Sequence, residues 1–320
     1  MEKPDGRNQM LIMEFILLGF GDAGELQPLL ILLFLVIYIV TLVGNVLIVV
    51  LVIADQQLHM PMYYLLGNLS FLEICYTSTF QPRLLVSLLT GYRTISVKGC
   101  IVQLYFFGTL SSAECLLLTA MSYDRYLAIC HPLRYGALMN GRVCCQLVAG
   151  SWVSSSLSCT VAIIFFLQST FCGTKEIDYF FCDFSPLIKV TCSDTRTLQQ
   201  VIFIISTIGA LLPFLLILMS YICIIITILR IPSVIGRKKA FSTCSSHLIV
   251  LAFFYGTVIT VYMFPTANTP KIVRKIFSVF YTVLTTMINP VIYSLRNKEV
   301  KNSLRRAVLK LVALKNRHRI

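Results

Sequence analysis

The chain of 320 residues is 57% apolar and only 13% charged, with a mean hydropathy of +0.81. This balance excludes an ordinary soluble domain and favours an integral membrane protein with several spans. The net charge of +13 does not predict a nucleic-acid partner, because nine of the basic residues are concentrated in the tail between Arg296 and Arg319.

Seven apolar runs follow one another along the chain, each long enough for a bilayer core, which takes about 20 residues. They cover residues 26–53, 62–85, 97–129, 143–167, 198–229, 241–264 and 272–295. Because lipid offers no hydrogen bonds to the backbone, each run is predicted to be a helix. The expected fold is an all-α seven-transmembrane bundle over residues 26–295, between an N-terminal segment (1–25) and a tail (296–320).

The charges at the two termini predict the orientation. Residues 1–25 carry two basic and five acidic residues, whereas the tail is strongly basic. Since basic flanks mark the cytoplasmic side, we expect an extracellular N-terminus and a cytoplasmic tail, which requires an odd number of spans. The short loops do not support this assignment, with seven basic residues predicted inside against nine outside.

Four of the twelve cysteines lie in the predicted outer loops or at the outer start of the third run. Cys100, Cys172, Cys182 and Cys192 allow three pairings on an oxidising side. The loop geometry favours Cys100–Cys182 and Cys172–Cys192, and zinc binding is the competing interpretation. Most of the other cysteines lie within or at the ends of spans, where they act as small hydrophobic residues.

In the tail, Val300, Leu304, Val308 and Val312 repeat every four residues among Lys and Arg. This spacing predicts an amphipathic helix lying on the anionic inner leaflet of the membrane, and so a lipid partner. A disordered basic tail is the alternative.

Three acidic residues mark candidate functional positions in the spans. Asp124 and Arg125 stand side by side at the end of the third run, where a charged pair can face water or a partner. Glu73 and Glu114 lie within spans, a costly placement that indicates function by default.

Six motifs lie in order along the chain. They are Gly44-Asn45, Pro61-Met-Tyr-Tyr-Leu-Leu-Gly-Asn-Leu-Ser-Phe-Leu-Glu73, Met121-Ser-Tyr-Asp-Arg-Tyr-Leu-Ala-Ile-Cys130, Ser220-Tyr221, Lys239-Ala-Phe-Ser-Thr-Cys-Ser-Ser-His247 and Asn289-Pro-Val-Ile-Tyr-Ser-Leu-Arg-Asn297. Together they closely resemble the olfactory receptors, a branch of the rhodopsin-like G-protein-coupled receptors, and within it the tetrapod-type class. The third and fifth motifs are far more specific than the others.

The resemblance implies an odorant receptor in the plasma membrane, not an enzyme, that activates an olfactory stimulatory G protein and raises cyclic AMP. It implies a G-protein switch in which releasing Arg125 from Asp124 exposes its guanidinium, with Tyr221 and Tyr293 as acceptors. The other residues of the switch are Tyr126, Lys239, Asn289 and Pro290. The competing interpretation of Asp124 and Arg125 is a surface ion pair.

The resemblance also brings Asn45, Glu73, Glu114 and Asn289 into one polar cluster. Oxygen ligands suit a sodium ion, a proton shared by the two carboxylates fits equally well, and a purely structural network is the third interpretation. No other cofactor or metal is expected.

A ligand cavity is expected in the outer half of the bundle, between the third, fifth, sixth and seventh helices. Helical stripes predict its lining as Leu104, Phe107, Gly108, Ser111, Ser112, Ile202, Ile205, Ser206, Gly209, Tyr255, Val258, Ile259, Tyr262, Val279 and Thr282. This lining is apolar with a few hydroxyls and no charge, so small, mainly neutral, hydrophobic odorants fit it. Phe107 stands where amine receptors of the superfamily carry Asp, which leaves a cationic amine without a counter-ion.

Other membrane functions fit the sequence less well. A retinal protein needs a buried lysine in the last span, but Lys271 and Lys275 stand at its outer edge. A transporter is expected to show internal repeats, and an intramembrane enzyme paired catalytic groups; neither pattern is found. The remaining alternative is a non-olfactory rhodopsin-like receptor for a small neutral ligand.

Overall fold

The computed structural model describes residues 13–21, 24–171, 174–263 and 271–317. The helices in these ranges are α1 (Gln27–Ala54), α2 (Pro61–Thr90), α3 (Val97–Cys130), α4 (Tyr135–Leu138), α5 (Gly141–Leu167), α6 (Phe184–Ile188), α7 (Arg196–Ser206), α8 (Leu212–Leu229), α9 (Val234–Met263), α10 (Lys271–Val279), α11 (Thr285–Arg296) and α12 (Lys298–Arg317). Within the described residues all seven predicted runs are helical, and their ends differ from the prediction by at most seven residues.

Two of the seven spans contain a π-helical turn. Thr207–Leu211 joins α7 to α8 in the fifth span, and Phe280–Leu284 joins α10 to α11 in the seventh. The sixth span, α9, is bent by 48° between Val234–Ser242 and Cys244–Thr257. The helix α9 begins at Val234, seven residues before the predicted run. These additional turns carry basic residues and lie outside the apolar run.

By length and composition, five described helices could cross a membrane, and the bent α9 makes six. The second span, α2, is not among these helices, because the polar residues Glu73, Thr77 and Gln81 on its buried face lower its mean hydropathy. The outer surface of the bundle is instead rich in exposed Leu, Ile and Val, for example along α1 and α8. Such a surface is stable in lipid and would aggregate in water.

One end of the bundle, here called the sheet end, carries a small three-stranded sheet. The strand β1 (Glu14–Leu17) pairs antiparallel with β2 (Thr94–Ser96) and parallel with β3 (Glu176–Ile177). Phe15 and Leu17 of β1 are buried, so the strand covers apolar groups of the loops beneath it. The sequence pattern did not predict these strands, since the longest of them, β1, has only four residues.

The disulfide Cys100–Cys182 fixes the loop after α5 to the start of α3 at the sheet end, as predicted. Cys192 is also disulfide-bonded. Its predicted partner, Cys172, lies outside the described residues, so that pairing stays a prediction.

The opposite end, here called the tail end, carries α12. Val300 is buried and Leu304 packs against the core, while Val308 is exposed. Arg306 of α12 forms a salt bridge of 2.6 Å with Asp55 in the turn after α1. The pKa of Asp55 is lowered to about 2, first by the Ser303 hydroxyl, which approaches it without full hydrogen-bond geometry, and then by Arg306.

Candidate functional site

A cavity of about 410 Å³ lies toward the sheet end, between α3, α5, the fifth span and α9. Its volume falls in the range of about 300–1,000 Å³ that is usual for small-molecule sites. Ten residues of the predicted lining surround it: Leu104, Phe107, Gly108, Ser111, Ser112, Ile202, Ile205, Ser206, Gly209 and Tyr255. The helical stripes on the third and fifth spans therefore face one shared cavity.

Close approach of the helices explains two glycines in this wall. A Cβ at Gly108 would lie 3.0 Å from Cys159 Sγ of α5, and one at Gly209 would lie 3.1 Å from Ser112 Oγ of α3. The Ser155 hydroxyl donates to Ser112 Oγ at 3.2 Å and joins α5 to α3 beside the cavity. The walls are thus apolar surfaces interrupted by serine hydroxyls.

The roof of the cavity is the loop segment 182–184, which is held firmly against α3. Besides the disulfide, the Cys182 N–H donates to Gln103 Oε1 at 2.9 Å, and Gln103 Nε2 donates to the Thr79 carbonyl of α2 at 2.9 Å. The neighbouring Phe181 packs on Phe107, with ring centroids 4.5 Å apart. Covalent, polar and aromatic contacts together fix the roof.

The prediction that the lining carries no charge is wrong, because Asp183 lines the cavity from the roof. Its carboxylate accepts a hydrogen bond of 2.8 Å from the Phe184 N–H and caps the short helix α6. Burial raises the pKa of Asp183 to about 6. The residue was missed because it belongs to a loop, although its neighbour Cys182 was predicted to be tied to the third span.

The remaining five residues of the predicted lining do not join this group. Val279 and Thr282 are absent from the cavity wall, since Val279 packs against the main core and the fully buried Thr282 hydroxyl donates to the Ser278 carbonyl. The side chains of Val258, Ile259 and Tyr262 lie outside the described residues.

The predicted polar cluster is buried in the middle of the bundle. Asn289 Nδ2 donates to Glu73 Oε1, and Glu114 is close enough to Glu73 to interact with it electrostatically. Both amide atoms of Asn45, Glu73 Oε2 and Glu114 Oε1 are buried without a hydrogen-bond partner. Buried oxygens without a protein donor fit a bound sodium ion or a proton, because each would supply the missing interaction.

Asp124 and Arg125 at the tail end form an ion pair, here called the engaged state. Arg125 donates through Nε to Asp124 Oδ2 at 2.9 Å, and its guanidinium makes a second bond to the same oxygen. The Tyr135 hydroxyl of α4 donates to Asp124 Oδ1 at 2.7 Å. Asp124 is fully buried, so both carboxylate oxygens are held by protein donors.

The two predicted acceptors of Arg125 are not bonded to it in this arrangement. Tyr221 of α8 is hydrogen-bonded to His247 Nδ1 of α9 at 2.8 Å, and the Tyr293 hydroxyl is buried without a partner. Tyr126 is turned away from the pair and bonds His131 at 3.0 Å. The Lys239 side chain lies outside the described residues.

The Gly44-Asn45 and Asn289-Pro290 motifs meet where α1 crosses α11. A Cβ on Gly44 would lie 2.9 Å from Pro290 Cβ, so glycine is required for this contact. The contact brings together the helices of Asn45 and Asn289, two members of the polar cluster, whose carboxylates Glu73 and Glu114 lie on α2 and α3.

Sequence comparison with known proteins identifies the family of this chain. A sequence model described as "Olfactory receptor" matches residues 34–311. The human olfactory receptor 10C1 is 48% identical over 307 residues, which are 96% of this chain and 98% of that protein. The mouse olfactory receptor 1E16 is 45% identical over 304 residues, or 95% of this chain and 97% of the relative. The chain belongs to the olfactory receptor family.

A solved structure supports the fold of this olfactory receptor. The crystal structure of squid rhodopsin superposes with a TM-score of 0.69 at 16% identity, covering 87% of this chain and 83% of rhodopsin. At that identity the likeness concerns the fold alone. The predicted seven-helix membrane bundle is confirmed, and the receptor is not an enzyme.

Several residues that build the site of this receptor were not predicted. Tyr135 lies in a loop helix, and nothing in the local sequence shows that its hydroxyl reaches Asp124. Ser155, Ser158 and Cys159 bring α5 into the cavity wall, although the fourth span was not expected to contribute. The run of serines from Ser154 to Ser158 was the available signal, since serine in a span favours a contact with a neighbouring helix, as Ser155 makes with Ser112.

Proposed function

We propose that this receptor binds small, largely hydrophobic odorants in the cavity and activates a heterotrimeric G protein. One observation carries the proposal: a single helix, α3, holds both sites. Six cavity residues lie on it between Leu104 and Cys115, and the Asp124–Arg125 pair follows Ser112 by 12 residues. That distance is about 18 Å along a helix.

The switch proposed here uses contacts between α3, α8 and α9. An odorant touches α3 through residues such as Phe107 and α9 through Tyr255. A shift of α9 away from α8 breaks the Tyr221–His247 bond and frees the Tyr221 hydroxyl. Arg125 then exchanges Asp124 for Tyr221 and opens a cleft at the tail end for the G protein, which makes Asp124–Arg125 the bistable element.

The orientation proposed for the receptor is multi-pass in the plasma membrane, with the sheet end extracellular and the tail end cytoplasmic. The Cys100–Cys182 disulfide suits an oxidising exterior, and the basic α12 suits the anionic inner leaflet. The odorant then enters from outside, and the stimulatory G protein binds inside and raises cyclic AMP. Membrane lipid is the partner of α12.

The polar cluster is proposed to hold a sodium ion or a shared proton between Glu73 and Glu114. Either species would offset one of the two negative charges of the carboxylates, which stand between the cavity and the switch. A shift of α3 would change the spacing of these groups, so occupancy would respond to the odorant.

The test is a broad odorant panel on cells whose surface level of receptor is measured by an N-terminal tag. Cyclic AMP should rise with at least one odorant, and Arg125→Ala should abolish that response at an equal surface level. A response seen only through a promiscuous G protein would refute the stimulatory coupling alone. A receptor that is present at the surface and responds to nothing would refute the proposed function.

A further inference from the structure

We propose that Asp183 is the counter-ion for a small organic amine, whose nitrogen binds at the roof of the cavity. The inference rests on the proposed function, because the amine would be the odorant. It also reverses the expectation that an amine finds no counter-ion: the acid is absent from α3 at Phe107 but is supplied by the loop.

The position of Asp183 is fixed relative to α3. The preceding residue, Cys182, is fully buried, bonded to Cys100, and held through its N–H by Gln103. The following residue, Phe184, itself lines the cavity. An acid placed this way is preorganised, so binding a ligand does not have to order the loop first.

The carboxylate has unused capacity for hydrogen bonds. It accepts from the Phe184 N–H, and the described residues offer no ion pair to it. A carboxylate can accept about four hydrogen bonds. The raised pKa of about 6 is the expected mark of an acid removed from water without a cation beside it.

No protein cation competes for this place among the described residues that line the cavity. The other titratable groups there are Cys115, Cys159 and Tyr255, side chains of types that are uncharged at pH 7. Lys275, also at the sheet end, forms a salt bridge of 2.5 Å with Asp178. The cavity therefore joins one anion to an otherwise apolar and hydroxyl-bearing wall, which matches a cationic head on a short hydrocarbon body.

The deciding variant is Asp183→Asn, because asparagine keeps the capping oxygen for Phe184 and removes only the charge. Matched probes are hexylamine against hexan-1-ol and cyclohexylamine against cyclohexanol, tested by dose–response in surface-normalised cells. Potency of the amines should fall about ten- to hundredfold, the usual worth of a hydrogen bond to a charged group. The alcohols should change less than about threefold, a shift well below one charged hydrogen bond. Asp194→Asn, which changes an exposed acid of the same loop, should leave both classes unchanged.

The pH dependence gives a second readout. A carboxyl of pKa about 6 is about one-tenth ionised at pH 5 and almost fully ionised at pH 7.4. Amine potency in the unaltered receptor should therefore fall about tenfold when the pH is lowered from 7.4 to 5, because the amine stays protonated while Asp183 loses its charge. The Asp183→Asn variant should lose this dependence.

The outcomes separate this inference from the proposed function. If Asp183→Asn weakens alcohols as much as amines, or weakens neither, the counter-ion assignment is wrong. A receptor that responds to neutral odorants but to no amine also overturns it and leaves the proposed function standing. A receptor that is present at the surface and responds to no odorant overturns the proposed function, and this inference with it.

Discussion

Replacing Tyr135 by phenylalanine should make the receptor signal without an odorant. The Tyr135 hydroxyl donates at 2.7 Å to Asp124 Oδ1, and Asp124 is fully buried. A hydrogen bond to a charged group contributes about 1.5–3 kcal/mol, so removing the hydroxyl weakens the engaged state by that amount if the bond is absent from the active state. An active population of about 1% would then rise to between about one-tenth and three-fifths.

The assay for Tyr135→Phe is basal nucleotide exchange on the G protein in membranes, divided by the number of receptors at the surface. Tyr64→Phe is the matched control, since it removes a hydroxyl from an exposed tyrosine whose partner is the Cys145 thiol at 3.6 Å. The control should change nothing. Unchanged or lower basal exchange in Tyr135→Phe, with Asp124→Asn raising it in the same assay, would refute the role assigned to Tyr135.

Three further predictions concern other parts of the bundle. Gly44→Ala should destabilise the detergent-solubilised receptor by about 1–3 kcal/mol in thermal unfolding, because the new methyl overlaps a rigid proline ring, whereas Gly150→Ala has open space and should cost nothing. Glu114→Gln should abolish any difference in odorant potency between sodium and N-methylglucamine buffers; a sodium effect that survives the change would exclude Glu114 as a ligand. Asp55→Asn should increase hydrogen exchange in α12, while the exposed Asp194→Asn should not. Since the pKa of Asp55 is lowered to about 2, its contribution is present above the unfolded pKa near 4 and is lost only as pH falls toward 2. The protection factors of the α12 amides, which are corrected for the pH dependence of the intrinsic exchange rate, should therefore be flat from pH 5 to 8.

The spans could be predicted from sequence because lipid imposes one simple requirement on each of them. A run such as 26–53 has to satisfy its backbone internally, and the observed helix Gln27–Ala54 differs from it by one residue at each end. The stripe Leu104, Phe107, Gly108 and Ser111 could be predicted for the same reason, since helical spacing fixes which residues share a face.

The parts that could not be predicted depend on contacts between distant segments. The roof position of Asp183 and the bond from Tyr135 arise from how loops fold over helices, and a loop sequence carries no period that reports it. The π-helical turn Phe280–Leu284 is similarly invisible in sequence. Val279 and Thr282 were placed in the cavity wall by their spacing alone, but no described residue of the seventh span lines the cavity, and the distance of a helix from a cavity leaves no mark in its own sequence.

The small sheet at the sheet end has a consequence for how the receptor is made. Ile16 of β1 pairs with Glu176 of β3, a separation of 160 residues. At about 5–20 residues per second, the ribosome needs roughly 8 to 32 seconds to deliver that partner after β1 itself. During this interval four spans enter the membrane. The strand β1, with its apolar residues Phe15 and Leu17, still lacks its neighbour β3. The strand β1 is therefore made before all four of these spans but gains its second neighbour only after them, which makes this interval the time when a chaperone in the secretory compartment would have to protect it.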